Sequence, residues 1–195
     1  MKIFFDCEFT GLHKDTSLIS IGLISEDDRK FYAEINDYDK TQLNPWIDEH
    51  VISNLCYNNL ERYIPKLNVF KQGNYATKDD LDTVGKKLKT WLDQFDTVEF
   101  VSDVCHYDFV LLIDLVWRHA LNMPYGTIGS ACHDINQDIA RYYNISSIEA
   151  FDKSREEILK EHNAEVKLGV KHNALYDAKV IKELYKILNK EKVAK

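Results

Sequence analysis

The sequence predicts an α/β domain: a mixed sheet of about five strands, the first three antiparallel, flanked by helices. Three observations predict it. Residues 2–35 hold three β-rich runs joined by short polar turns, the pattern of an antiparallel meander. The remainder alternates helical and strand periodicities, which lays helices over a sheet. No low-complexity stretch, repeat or flexible linker interrupts the 195 residues, so the expectation is a single domain over 1–195.

The elements follow in order. The first strand is Lys2 to Phe9, with a turn at Thr10-Gly11-Leu12. The second runs from Leu18 to Ile24, and Glu26-Asp27-Asp28 turns it into a third, Lys30 to Ile35. Asn44-Pro45 is a helix start, an N-cap followed by proline at the first helical position, and the helix is expected to carry Trp46, Ile47 and Val51 inward. Residues 56–76, with Tyr57, Tyr63, Pro65, Phe70 and Gly73, read as an irregular excursion. Thr77 is expected to cap a helix whose apolar stripe is Leu81, Val84, Leu88, Trp91 and Phe95. A fourth strand spans Val98 to Ser102, and Phe109 to Leu121 reads as a buried helix. Ile128 to Cys132 is the fifth strand and Asn136 to Tyr143 a short helix. A capping box at Ser146–Glu149 opens one charged helix to about Asn163. After a loop, the last helix runs from His172 to about Asn189.

Composition sets limits on function. The chain is 45% hydrophobic and 29% charged, an ordinary globular balance, and its net charge of −7 argues against a general nucleic-acid coating protein. Cys7, Cys56, Cys105 and Cys132 form no C-x-x-C pair and no leader precedes the first strand, so the expectation is a cytoplasmic protein with reduced thiols. No apolar run reaches the ~20 residues of a membrane span.

The acidic residues carry the chemistry. Side chains i and i+2 share a face of a strand, so Asp6 and Glu8 point the same way while Phe5, Cys7 and Phe9 point the other. Two carboxylates side by side on a buried strand repel each other, and a divalent cation with a preference for oxygen ligands relieves that repulsion. The plainer reading is a pair of acids at a solvated strand end. In the last helix Asp177 falls within the buried stripe of Ala174, Ile181, Leu184 and Leu188, while Lys179, Lys182, Glu183 and Lys186 are expected on the solvent face. A carboxylate within that stripe needs a partner or a metal. Asp108 opens the apolar helix on the side of Leu112 and Leu115, where the plainer reading is an N-cap. His172, five residues before Asp177 and after a polar loop, is placed to act as a general base near neutral pH.

Together these residues resemble the three motifs of the DnaQ-like, DEDDh class of 3′–5′ exonucleases. Asp6-Cys7-Glu8-Phe9-Thr10-Gly11-Leu12 is similar to D-x-E-x-T-G-L, and His172-Asn173-Ala174-Leu175-Tyr176-Asp177-Ala178 to H-x-A-x-x-D-A. Tyr107-Asp108 resembles the aromatic-Asp pair of the middle motif. The Asn that often precedes that Asp is replaced by Val104-Cys105, which leaves Asp103 as a competing ligand. The resemblance covers most of the chain apart from 44–76, and the small stand-alone exoribonucleases are its most similar branch.

The resemblance implies an RNase H-like fold and two-metal hydrolysis of phosphodiesters, with Mg2+ in both sites and Mn2+ as a substitute. It implies Asp6, Glu8, Asp108 and Asp177 as metal ligands and His172 as the base. Phe9, Thr10, Gly11 and Leu12 would lie against the terminal nucleotide. The implied partner is the 3′ end of single-stranded RNA or DNA, with a homodimer among the assemblies open to it. Lys153, Arg155, Lys160, Lys167 and Lys171 could flank the substrate as a basic patch. The rivals are a DNA proofreading or repair exonuclease, and a binding module that kept the fold without catalysis. A calcium-binding protein is a weaker rival, because no D-x-D-x-D-G loop occurs.

Overall fold

The computed structural model describes residues 1–59, 73–167 and 169–190. Its centre is a six-stranded sheet in the order β4-β3-β2-β1-β5-β6. The strands are β1 Lys2–Phe9, β2 Leu18–Ser25, β3 Lys30–Ile35, β4 Tyr75–Asp79, β5 Val98–Ser102 and β6 Ile128–Asp134. The first three form the expected antiparallel meander, and β4, β5 and β6 join parallel to their neighbours. The helices are α1 Pro45–His50, α2 Leu81–Leu92, α3 Cys105–Trp117, α4 Ile135–Tyr143, α5 Ser147–Asp152, α6 Arg155–Glu161 and α7 Ala174–Leu188. Among the described residues, no helix is long and apolar enough to cross a membrane.

Strand alternation sorts the core into two layers. Ile3, Phe5, Cys7, Ile21, Leu23, Phe31 and Ala33 pack with Val84 and Leu88 of α2 and with Leu112 and Leu115 of α3. On the opposite face Phe4, Ile24 and Val101 meet Ala178 and Ile181 of α7. A second cluster joins α4, α5 and α6 to the outer side of α7 through Ile135, Ile139, Ala150, Ile158, Val180 and Leu184.

Several expectations need correction. The sheet has a sixth strand, β4, which begins at the end of the excursion read over 56–76 and runs on through Thr77 to Asp79; Tyr63, Pro65 and Phe70 of that stretch lie outside the described residues. Thr77 is inside β4, and Asp80 is the N-cap of α2, accepting from the Thr83 N–H. Helix α3 begins at Cys105 rather than Phe109 and ends at Trp117, where Asn122 Nδ2 donates to the freed Trp117 carbonyl. Val110 is exposed, so only one side of α3 is core. The single helix expected over 146–163 is two. Lys153 is extended, Ser154 caps α6, and the Arg155 guanidinium donates to the carbonyls of Ala150, Phe151 and Lys153 that the break leaves open. Lys182 is not solvated but 2% exposed; its ammonium donates to the Ser25 and Glu26 carbonyls and pairs with Asp28 at 2.8 Å, stitching α7 to the β2–β3 turn.

Candidate active site

Strand β1 lies between β2 and β5, at the centre of the sheet, and its alternation sends Asp6 and Glu8 to the face covered by α7. Asp6 pairs with Gly22 of β2. A Cβ at Gly22 would lie 2.3 Å from the Leu175 amide nitrogen and 2.4 Å from the Ala174 carbonyl carbon. Only glycine therefore lets the first turn of α7 press onto the sheet beside the β1 carboxylates. That turn carries Asp177, and α7 is capped by Asn173, whose side chain accepts from the Tyr176 N–H. His172 is consequently outside the helix, not at its start, with φ +62°.

Asp108 arrives from the other layer. It is in the first turn of α3 rather than at the cap, which is Val104 in a left-handed conformation. Its carboxylate accepts from the Cys7 N–H at 3.2 Å and from Ser102 Oγ at 2.8 Å, so it reaches past the end of β5 to the edge of β1. Asp103, the competing ligand, lines the same cleft but is held in an ion pair. Arg155 Nε and Nη2 donate to its two oxygens at 2.7 and 2.8 Å, and Asn136 Nδ2 donates at 2.7 Å. This fork-on-fork pairing neutralises Asp103 and also removes Arg155 from any basic patch.

The cleft these residues line has a volume of about 530 Å³ and takes in Asp6, Glu8, Asp108, His172 and Asp177. Ligand atoms of Glu8, His172 and Asp177 lie within 4.8 Å of one another. Burial pushes the Asp6 and Glu8 carboxyls well above their usual range, and the neighbouring carboxylates, Asp108 and Asp177 among them, push the same way. Burial likewise carries Asp108 up to about 8, against the pull of the Ser102 and Cys7 hydrogen bonds. Asp177 rises to about 7 through burial, although it accepts from the His172 N–H at 2.8 Å. The site thus concentrates oxygen donors that resist carrying negative charge together. That donor set fits hard divalent cations, which would supply the missing positive charge. His172 is shifted the other way: burial and then the Lys171 and His50 charges lower it, so its imidazole is neutral and able to accept a proton at neutral pH.

The turn after β1 divides into two roles. Phe9 and Leu12 line the cleft, and Leu12 is 68% exposed, an apolar surface open to a ligand. Phe9 rests against Tyr107 with ring centroids 6.3 Å apart. Thr10 is buried; its hydroxyl bonds to Gln42 and accepts from the Ser17 N–H, while the Gly11 N–H donates to Thr16 Oγ1. Thr10 and Gly11 thereby lock the turn that presents Leu12. Among the five basic candidates, Lys153, Arg155 and Lys171 line the cleft; Lys171 is exposed, Lys153 pairs with Glu161 at 3.1 Å and Arg155 pairs with Asp103. Sequence reasoning missed Trp46 and His50. Trp46 is not inward but 51% exposed, stacked on His50 and edge-on to His172. The i, i+4 spacing of the two aromatic rings in a proline-led helix was the available signal.

Comparisons with known proteins fit this geometry. The family description 3′-5′ exoribonuclease Rv2179c-like domain matches residues 1–188. The 3′-5′ exoribonuclease Rv2179c of Mycobacterium tuberculosis (strain ATCC 25618 / H37Rv) is 28% identical over 124 residues, 64% of this chain and 66% of that one. The matched stretch is thus just under two thirds of that relative's length. Pop2p of S. pombe, solved with Mg2+ and Mn2+ bound, superposes with a TM-score of 0.58 at 14% identity, covering 96% of this chain and 82% of that one. A 3′-exonuclease solved for its recognition of the 3′ end of a histone mRNA stem-loop gives 0.64 at 13% identity, covering 97% and 63%. At such identities the structural likeness is one of fold, and the fold is RNase H-like. With a match that runs from β1 to the end of α7, the chain belongs to the Rv2179c-like 3′-5′ exoribonuclease domain family.

Proposed function

We propose that this chain is a metal-dependent 3′–5′ exoribonuclease that hydrolyses the last phosphodiester of single-stranded RNA and releases 5′-mononucleotides. One observation carries the reading: four carboxylates from β1, α3 and α7 converge with a neutral histidine in one cleft of a member of this family. Asp6, Glu8, Asp108 and Asp177 would hold two Mg2+ ions, replaceable by Mn2+, which when bound supply charge stabilisation for the scissile phosphate and the departing 3′ oxygen. His172 accepts the proton of the attacking water, a role its lowered basicity and its closeness to Glu8 and Asp177 support. Leu12 and Phe9 offer an apolar surface to the terminal base, and Lys171 at the rim meets the phosphate chain. With four unpaired cysteines, the proposed place of action is the cytoplasm.

The test uses purified protein stripped of metal, with RNA and DNA strands of one sequence. No hydrolysis is expected in chelator, full hydrolysis on adding Mg2+ or Mn2+, and faster hydrolysis of the RNA. Full activity in chelator, or restoration by zinc alone, would refute the metal assignment. Preference for the DNA strand would favour a repair or proofreading exonuclease.

A further inference from the structure

We propose that α1 and the turn behind it form the mount of the candidate base, with Trp46 as a positioning residue for the His172 imidazole. The proposal rests on the exonuclease reading above. His172 has a left-handed backbone, uncommon for a residue other than glycine, and it lies in a loop, where an imidazole would be free to change rotamer. Two sets of contacts hold it.

The first set fixes the backbone. The His172 N–H donates to Asp177 Oδ2 at 2.8 Å. Asn54 Nδ2 donates to the Lys171 carbonyl at 3.1 Å and to the His50 carbonyl at 2.6 Å, and Asn173 Nδ2 donates to the Asn54 carbonyl at 2.8 Å. The end of α1 and the residues on both sides of His172 are therefore tied through one asparagine.

The second set fixes the ring. Trp46 meets the His172 ring at 74° with centroids 5.1 Å apart, the edge-to-face arrangement that aromatic quadrupoles favour. Trp46 is itself held by stacking on His50 at 4.7 Å and 10°, and His50 Nδ1 lies 2.9 Å from the Trp46 carbonyl oxygen. Carboxylate oxygens of Glu8 and Asp177 lie within 4.8 Å of a nitrogen of the same imidazole. Trp46 is not among the residues lining the cleft, so it acts through His172. This explains why a tryptophan on α1 stays half-exposed. A proton acceptor depends on orientation, and a small misplacement costs rate without costing affinity.

The experiment compares Trp46→Leu, Trp46→Phe, Asn54→Ala and His172→Ala in the full chain, on single-stranded RNA with Mg2+. Trp46→Leu is expected to lower kcat by about 10–100-fold with little change in KM, and Trp46→Phe to restore most of it. Asn54→Ala, which leaves Trp46 in place and removes the side-chain ties to the Lys171 and His50 carbonyls, is expected to lower kcat in the same pattern. In proton NMR the His172 ring resonances, assigned by their loss in His172→Ala, should be ring-current shifted in the wild type and move toward ordinary histidine positions in Trp46→Leu. An inactive His172→Ala beside a Trp46→Leu enzyme with wild-type kcat would overturn the mount alone. A raised KM at unchanged kcat would overturn it too, by making Trp46 a substrate contact. A fully active His172→Ala would instead overturn the base assignment on which the mount depends.

Discussion

Asp108→Asn and Asp177→Asn, each alone, are expected to remove most turnover and to raise the melting temperature of the metal-free protein. Loss of one preorganised charge-stabilising group typically costs about 10²–10³-fold in rate. The stability gain follows from the direction of the shifts. An acid whose folded pKa is raised binds its proton more tightly when folded. Unfolded carboxyls titrate near about 4, whereas folded Asp177 and Asp108 titrate at about 7 and about 8. Across that window the folded state holds more protons than the unfolded state. Stability is therefore fullest below the unfolded pKa and falls as pH rises through the folded values. An asparagine removes the titration while keeping an oxygen for the Ser102 or Cys7 donor of Asp108. The metal-free wild type should thus melt progressively lower from pH 5 to 8, the Asn variants less so, and Mg2+ should offset the loss. Each kcal/mol relieved shifts the midpoint by about 2–4 °C in a chain of this size. Thermal melts with and without chelator read all three effects. Variants that melt lower than wild type at pH 8 without metal would contradict the cost of burying these carboxylates in their charged form.

His172→Ala is expected to lose about 10²–10⁴-fold in kcat with KM nearly unchanged, because a general base acts in the transition state. In the intact enzyme kcat/KM should rise with pH along an acid limb whose midpoint lies below the ordinary histidine value, since burial lowers the folded group. The mutant must lose that limb. A limb that persists in His172→Ala would assign the titration to another group.

Much of the acidic lining of the candidate site was legible because its residues break a local pattern. Asp6 and Glu8 interrupt a buried strand and Asp177 interrupts a buried helical stripe, and such interruptions call for a compensating charge. What the sequence hid depends on tertiary contact. Strand β4 is five residues long, is paired on one side only among the described residues, and its Lys78 and Asp79 dilute any strand signal. Lys182 fits a polar face by periodicity, yet its stem is long enough to cross the core edge and find two carbonyls. Trp46 counts as apolar in any pattern, and only the fold shows that its partner is an imidazole. The left-handed turn at His172 has little sequence mark, since the groups that hold it, Asp177 and Asn54, come from outside the loop.

The most direct test of the account is the fate of a single-stranded RNA labelled at its 5′ end, incubated with the protein and Mg2+ beside a circular RNA of the same sequence. A 3′–5′ exoribonuclease yields a ladder that shortens one nucleotide at a time from the 3′ end, releases 5′-mononucleotides, is stopped by a blocked 3′ terminus, and leaves the circle intact. Cleavage of the circle, or removal of the 5′ label as the first product, would contradict it.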